Sequence, residues 1–278
     1  MRVDLQLSSG ITLMIGSHLM NGKEYPTAAI QKGLIMIYEG QELCEEAVGF
    51  GVPILKRGLQ AIFPGAVELS PLAEDQSSGI RARFEMNLTE RIKKSGSTTL
   101  SNPILYAGKN VMAAVIRQLP FLRGVLTGLS NRMRSSFAWE TIYEPSGFST
   151  YVTLAYTLDT QSGRIRVELE DQGLDQMGVS EVIVMNEQGA RFFDNYQDAD
   201  GLSLSGSEIG CWDPVLANEA AFVSRELGIS FRLPQVKGAR LYRGRELVSN
   251  RLAWAGFGYT FPPGLGHFTY EITVNKLS

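Results

Sequence analysis

Near the C-terminal end of the chain, His267, Thr269, Glu271 and Thr273 recur every second residue, with Phe268, Tyr270, Ile272 and Val274 between them. In an extended strand this alternation sends the four polar side chains to one face and the four apolar ones to the other. A histidine and a carboxylate on one face can pass a proton to and from a ligand. At roughly 3.3 Å per residue the two stand about 13 Å apart, too far for a direct hydrogen bond but within the span of one ligand lying across the sheet. His267 and Glu271 are therefore the candidate catalytic residues. The alternative is a solvated polar face, which any half-exposed strand displays.

Aromatic residues with charged neighbours supply the candidate ligand contacts. Trp139 stands beside Glu140, Trp212 beside Asp213, and Trp254 near Arg251 and Tyr259. Stacking combined with charged hydrogen bonds is one way to hold a sugar ring on a sheet, although a single tryptophan also serves as core. Arg81 and Arg83, on the polar side of another alternating run, complete the set Arg81, Arg83, Glu140, Arg251, Trp254 and Tyr259.

Two further clusters have competing readings. Glu42, Glu45 and Glu46 precede Gly49-Phe50-Gly51-Val52-Pro53 and could form an acid/base pair at a pocket rim, or be solvated carboxylates beside a tight turn. The run from Asp194 to Gly201 hints at calcium, but the EF-hand register fails and a polar surface turn is the default. With only His18 and His267 in the chain, a three-histidine metal site is impossible. No G-x-S-x-G elbow and no dinucleotide fingerprint is present. No metal and no cofactor is expected. Cys44 and Cys211 are in neither a C-x-x-C motif nor a histidine cluster, and read as two buried free thiols.

The elements that must position these residues are mostly short strands. From Ile80 to Ile92, the residues Ala82, Phe84, Met86 and Leu88 alternate with Arg81, Arg83, Glu85 and Asn87, which predicts a long strand with one wet side. Tyr151–Leu158 and Arg164–Glu170, joined by Asp159-Thr160-Gln161-Ser162-Gly163, predict an antiparallel hairpin. A second hairpin is expected at Asn186-Glu187-Gln188-Gly189. Pro214–Arg225 reads as a short helix or a strand. Further strands are expected over 229–233, 240–242, 252–261 and 268–274, separated by Gly and Pro. With 29 glycines and no βαβ rhythm, the chain predicts a sandwich or barrel of about a dozen strands or more.

One stretch differs. Between Ile92 and Trp139 there is no acidic residue, against Lys93, Lys94, Lys109, Arg117, Arg123, Arg132 and Arg134, while the chain as a whole carries net charge −3. Asn102-Pro103 is a helix start. Ile104, Val111, Met112, Val115 and Leu119 share a stripe up to Pro120, and Leu122, Val125, Leu126, Leu129 and Met133 continue at helical spacing. Residues 102–135 are expected to be a helical insertion covering a sheet, with its basic residues outward.

The expectation is a single all-β domain over 1–278, a large antiparallel β-sandwich with that α-helical insertion. In size and strand count it resembles the supersandwiches of the galactose mutarotase-like group, which act on or bind carbohydrates. The resemblance is one of architecture, and no motif carries it. It implies a small-molecule ligand, a sugar, on a polar sheet face. The rival is a non-enzymatic binding protein for an apolar or anionic ligand, with the basic helices as lid. The sparse basic segment speaks against nucleic acid. No apolar run is long enough for a transmembrane span. The N-terminal residues alternate like a strand and do not read as a secretion signal, so the chain is expected to be soluble and cytoplasmic. The sequence sets no oligomeric state.

Overall fold

A computed structural model describes residues 2–16, 30–72, 78–94, 139–170, 173–248 and 252–277. These residues are nearly all antiparallel β, in two sheets. The smaller contains β1 (Arg2–Gln6), β2 (Ile11–Gly16), β3 (Ile35–Tyr38) and β4 (Gln41–Glu42), paired in chain order. The larger has 14 strands. They begin with β5 (Phe50–Arg57), β6 (Gln60–Pro71), β7 (Ser78–Lys94), β8 (Trp139–Asp159) and β9 (Arg164–Glu170). After them come β10 (Glu181–Gly189), β11 (Asn195–Asp198), β12 (Ser203–Ser205), β13 (Cys211–Pro214) and β14 (Glu219–Ser224). The last are β15 (Ile229–Pro234), β16 (Arg240–Val248), β17 (Leu252–Phe261) and β18 (His267–Lys276).

Across the large sheet the order is β12-β11-β14-β15-β18-β9-β8-β7-β6-β5-β10-β17-β16-β13. Strands far apart in that order nevertheless touch through their apolar faces. Phe50 of β5 meets Phe231 of β15 at 5.2 Å, Phe257 of β17 meets Phe222 of β14 at 4.9 Å, and Tyr259 of β17 meets Tyr270 of β18 at 4.7 Å. The sheet therefore folds back so that its halves face each other over one core, an arrangement that fits an all-β sandwich. Alternation builds that core. Ile165, Val167 and Leu169 of β9 and Phe268, Tyr270, Ile272 and Val274 of β18 all point inward. The small sheet adds Ile11, Leu13, Ile15, Leu34 and Met36 to the same cluster.

The two borders of the large sheet, β12 and β13, are neighbours in the chain. A single 3-10 turn over Gly206–Ile209 separates them. Gly206 N donates to Asp194 O beside β11, and Gly210 O accepts from Arg245 N on β16, so the connection is bonded to both ends of the sheet.

Several expectations meet the structure directly. The β8–β9 hairpin forms as read, with Gly163 at φ 68° closing its turn. Asn186–Gly189 is not a hairpin. It is the end of β10, a central strand paired with β5 and β17. Pro214–Arg225 contains no helix; it runs from the last residue of β13 through β14. The Asp194–Gly201 run is β11 and its turn, with Asp198 Oδ1 accepting the amides of Asp200 and Leu202. Cys44 is buried as expected, but Cys211 is exposed, because it lies on a border strand. Lys93 and Lys94 extend β7, pairing with Glu140 and Trp139 of β8. The helical insertion expected over 102–135 lies outside the described residues. Among the described residues no helix is long and apolar enough to cross a membrane.

Candidate functional site

The sequence-derived residues fall into three places. His267, Glu271, Arg81 and Arg83 share the outer face of one half of the sandwich. Register aligns them, since Arg83 pairs with Thr153, Thr153 with Glu170, and Glu170 with His267. Glu271 lies opposite Arg166. Both His267 and Glu271 are exposed, and His267 Nε2 is 3.9 Å from Oε2 of Glu168. Arg83 bonds Glu68 at 3.0 Å and its guanidinium lies 3.5 Å from the centre of the Tyr151 ring. The Arg83–Glu68 pair is solvent-exposed, where such pairs contribute little.

Tyr259 is elsewhere. It is fully buried in the core, with its hydroxyl donating to Pro234 O, and is out of reach of a ligand on either outer face. Arg251 lies outside the described residues, and so does the side chain of Glu140, whose backbone belongs to β8.

Trp254 belongs to a third place, the outer face of the opposite half. On β10 the inward residues are Val182, Val184, Asn186 and Gln188, which leaves Ile183, Met185 and Glu187 outward. On β17, Ala255 and Phe257 point in, so Trp254, Gly256 and Gly258 point out. On β16, Leu241 points in, so Tyr242, Gly244 and Glu246 point out. Pairing arranges these as three cross-strand rows: Met185–Gly258–Tyr242, Glu187–Gly256–Gly244, and Gly189–Trp254–Glu246.

The glycines make room for indoles. A Cβ at Gly244 would stand 2.5 Å from Cη2 of Trp254, and one at Gly258 would stand 2.2 Å from Cη2 of Trp212. Trp212 comes from β13, at the register shift between Cys211 and Asp213. Its φ of 140° is one that side chains other than glycine rarely adopt, the kind of local strain that clusters at functional sites. The Trp212 ring stacks on Tyr242 at 5.3 Å and 4°. Trp254 Nε1 donates to Oε2 of Glu246 at 3.3 Å. Trp212, Tyr242, Trp254 and Glu246 are all half-buried.

Glu187 stands at the edge of this aromatic floor and is 6% exposed. The turn over 44–49 covers it: Val48 N donates to Glu187 Oε2 at 3.4 Å, and Glu187 N donates to Gly49 O at 3.0 Å. Burial pushes the carboxyl up to about 8, with the Glu246 charge adding to the shift and the Val48 amide opposing it. It holds its proton at neutral pH. In the same turn, burial pushes the Cys44 thiol up to about 12 against the opposing charge of Lys32. Lys32 Nζ reaches Glu42 Oε1 at 3.4 Å and the Glu45 carbonyl, so Glu42 is ion-paired; Glu45 pairs with Arg191. Gly49 and Gly51, at φ 86° and 73°, shape the entry to β5, where a Cβ would meet Leu34 O at 2.7 Å and the Tyr156 ring at 2.5 Å. Among the described residues no three His, Cys, Asp or Glu side chains gather to hold a metal ion.

The sequence reading found Trp254 but missed Glu187, Tyr242 and Glu246 as its companions, and held Trp212 only as one of several aromatics. One signal was available. A central strand that carries Asn186, Glu187 and Gln188 in succession must bury polar groups on both faces.

The fold and this floor define a large antiparallel β protein with an aromatic–carboxylate face. No protein-family model matches the sequence, and no curated protein does. Among solved structures the fold is similar to part of the alpha-N-acetylgalactosaminidase NagBb from Bifidobacterium bifidum. In its GalNAc complex the TM-score is 0.52 at 10% identity, covering 99% of this chain and 36% of that one. The Gal-NHAc-DNJ complex gives the same values. This chain thus spans about a third of that enzyme's length, and the likeness is one of fold.

Proposed function

We propose that this protein binds a carbohydrate on the outer face of β10, β17, β16 and β13, and that its fold is a sandwich of the supersandwich type. One observation carries the reading: two half-buried indoles, Trp212 and Trp254, are seated in space left by Gly258 and Gly244, with the Glu246 carboxylate at the edge of Trp254. A pyranose has C–H faces that pack on an aromatic ring and hydroxyls at its rim that seek an acceptor. The fold likeness to an enzyme determined with GalNAc bound supports the same class of ligand.

The face with His267, Glu271, Arg81 and Arg83 is the second place for a sugar, favoured by the alignment of Arg83 with His267 across β8 and β9. Calorimetric titration with a panel of mono- and oligosaccharides separates the two. The expected result is that Trp254→Ala or Trp212→Ala weakens binding about tenfold or more, a loss of about 1.4 kcal/mol, while His267→Ala with Glu271→Gln leaves it unchanged. The opposite pattern moves the site to the polar face. No heat with any sugar removes the reading.

A further inference from the structure

Several carboxylates among the described residues have cationic partners. Glu42 pairs with Lys32, Glu45 with Arg191, Glu68 with Arg83, Glu168 with Arg166 and Glu219 with Arg232. Glu187 is more buried than any of these, yet among the described residues no lysine or arginine pairs with it. Its one side-chain hydrogen bond, from Val48 N, falls on Oε2; Oε1 has no partner among the described residues. A glutamine would fill the same space without the penalty of a buried ionisable group. Structure alone gives no reason for a carboxyl here.

We propose that Glu187 is a general acid and Glu246 a base, and that this face hydrolyses the glycosidic bond of the sugar it binds. The inference rests on the binding reading above and deepens it. Glu187 shares a row with Gly256, so no side chain of that neighbour stands beside it on the face. Glu246 is two strands away and one row along, about 12 Å between Cα atoms from the strand spacing and rise. In this region the Trp254 indole reaches from β17 over Gly244 of β16, and it is the ring on which the sugar would pack. Trp254 Nε1–H donates to Glu246 Oε2 and so fixes the position of that side chain. Burial of Glu187 also favours its protonated form. The groups facing it are Glu246 from β16 and Cys44 from the covering turn.

The step balances with water as the one co-reactant. As the bond from the anomeric carbon to the bridging oxygen breaks, the Glu187 proton passes to that oxygen, which leaves as an alcohol. Glu246 takes a proton from the water, whose oxygen bonds to the anomeric carbon. Solvent then carries the proton from Glu246 back to Glu187.

The test uses the full chain with nitrophenyl and dinitrophenyl glycosides of several sugars, alongside the binding titration. Release of nitrophenolate by the unaltered protein is expected. Glu187→Gln should slow release from nitrophenyl glycosides by about 10²–10⁴. It should slow dinitrophenyl glycosides far less, because that phenolate departs without a proton. The decline of rate at high pH should also vanish in the variant, and Glu246→Gln should slow both substrates. Equal losses on both substrates in Glu187→Gln would make its role structural and overturn the assignment, as would an unchanged rate. Sugar binding without release from any glycoside also overturns it and leaves the binding reading standing. Neither binding nor release removes both.

Discussion

Tyr270 of β18 donates its hydroxyl to Oδ1 of Asn186 on β10 across 2.8 Å, both groups buried, and so ties one half of the sandwich to the other through the core. The same Oδ1 accepts Gly51 N at 3.1 Å, and Gly51 O accepts the hydroxyl of Tyr156 at 2.7 Å. A polar chain thus crosses an apolar interior with its members mutually satisfied. Glu187 is the next residue on β10 and points the opposite way.

Tyr270→Phe removes one donor and leaves Asn186 bonded to Gly51; the expected cost is about 1 kcal/mol by urea denaturation. Asn186→Leu leaves two buried donors without an acceptor and should cost about 3 kcal/mol or more. Because Glu187 rides on the same strand, Asn186→Leu should also weaken sugar binding, whereas Tyr270→Phe should not.

Gly258→Ala places a methyl 2.2 Å from the Trp212 ring, which is already stacked on Tyr242. The ring must lift, at a cost of about 1–3 kcal/mol. Near-UV circular dichroism should change and sugar affinity fall.

Stability should depend on pH through Glu187. Its folded-state value, about 8, lies above the ordinary 4.5. The folded protein therefore binds this proton more tightly than the unfolded chain does. The contribution is full below about pH 4.5 and is lost as pH rises through about 8. Glu187→Gln should remove that slope. In denaturation curves from pH 5 to 9 the variant should gain on the unaltered protein by on the order of a few kcal/mol at the alkaline end. Parallel curves would mean that the carboxyl is already charged.

Thiol titration of the native protein at pH 8 should count one fast group. Cys211 is exposed, while Cys44 is buried with its thiol pushed up to about 12. Denaturant should release the second. Two fast thiols in the native state would mean that the turn over Glu187 opens readily.

Alternation made much of the fold legible. The two-residue period of β9 and β18, and of β7 as far as Met86, named both the strands and their inward residues, because one side of each meets water; past the irregularity between Met86 and Leu88 it is Thr89 that is buried, not Leu88. Asn186-Glu187-Gln188-Gly189 misled, because polar residues ending in glycine are what turns use. Here each finds its partner inside the fold instead: Asn186 in Tyr270, Gln188 in Met36 N and Leu34 O, and Glu187 in Val48 N. Those partners lie far away in sequence, so no local pattern announces them. Alternation also says which residues share a face but not which half of the sandwich owns that face. For that reason Trp254 and His267, read together from the sequence, stand on opposite outer surfaces.

The connection over Ser203–Pro214, which supplies both borders of the large sheet, has a consequence for misassembly. Unpaired strand edges are where β proteins recruit one another into aggregates. Here one short piece of chain holds both edges of the large sheet. A protease nick near Gly206, or loss of the Ser205–Glu208 cap that shapes the turn, would bare β11 and β16 together, turning a single local lesion into a particle with two adhesive ends.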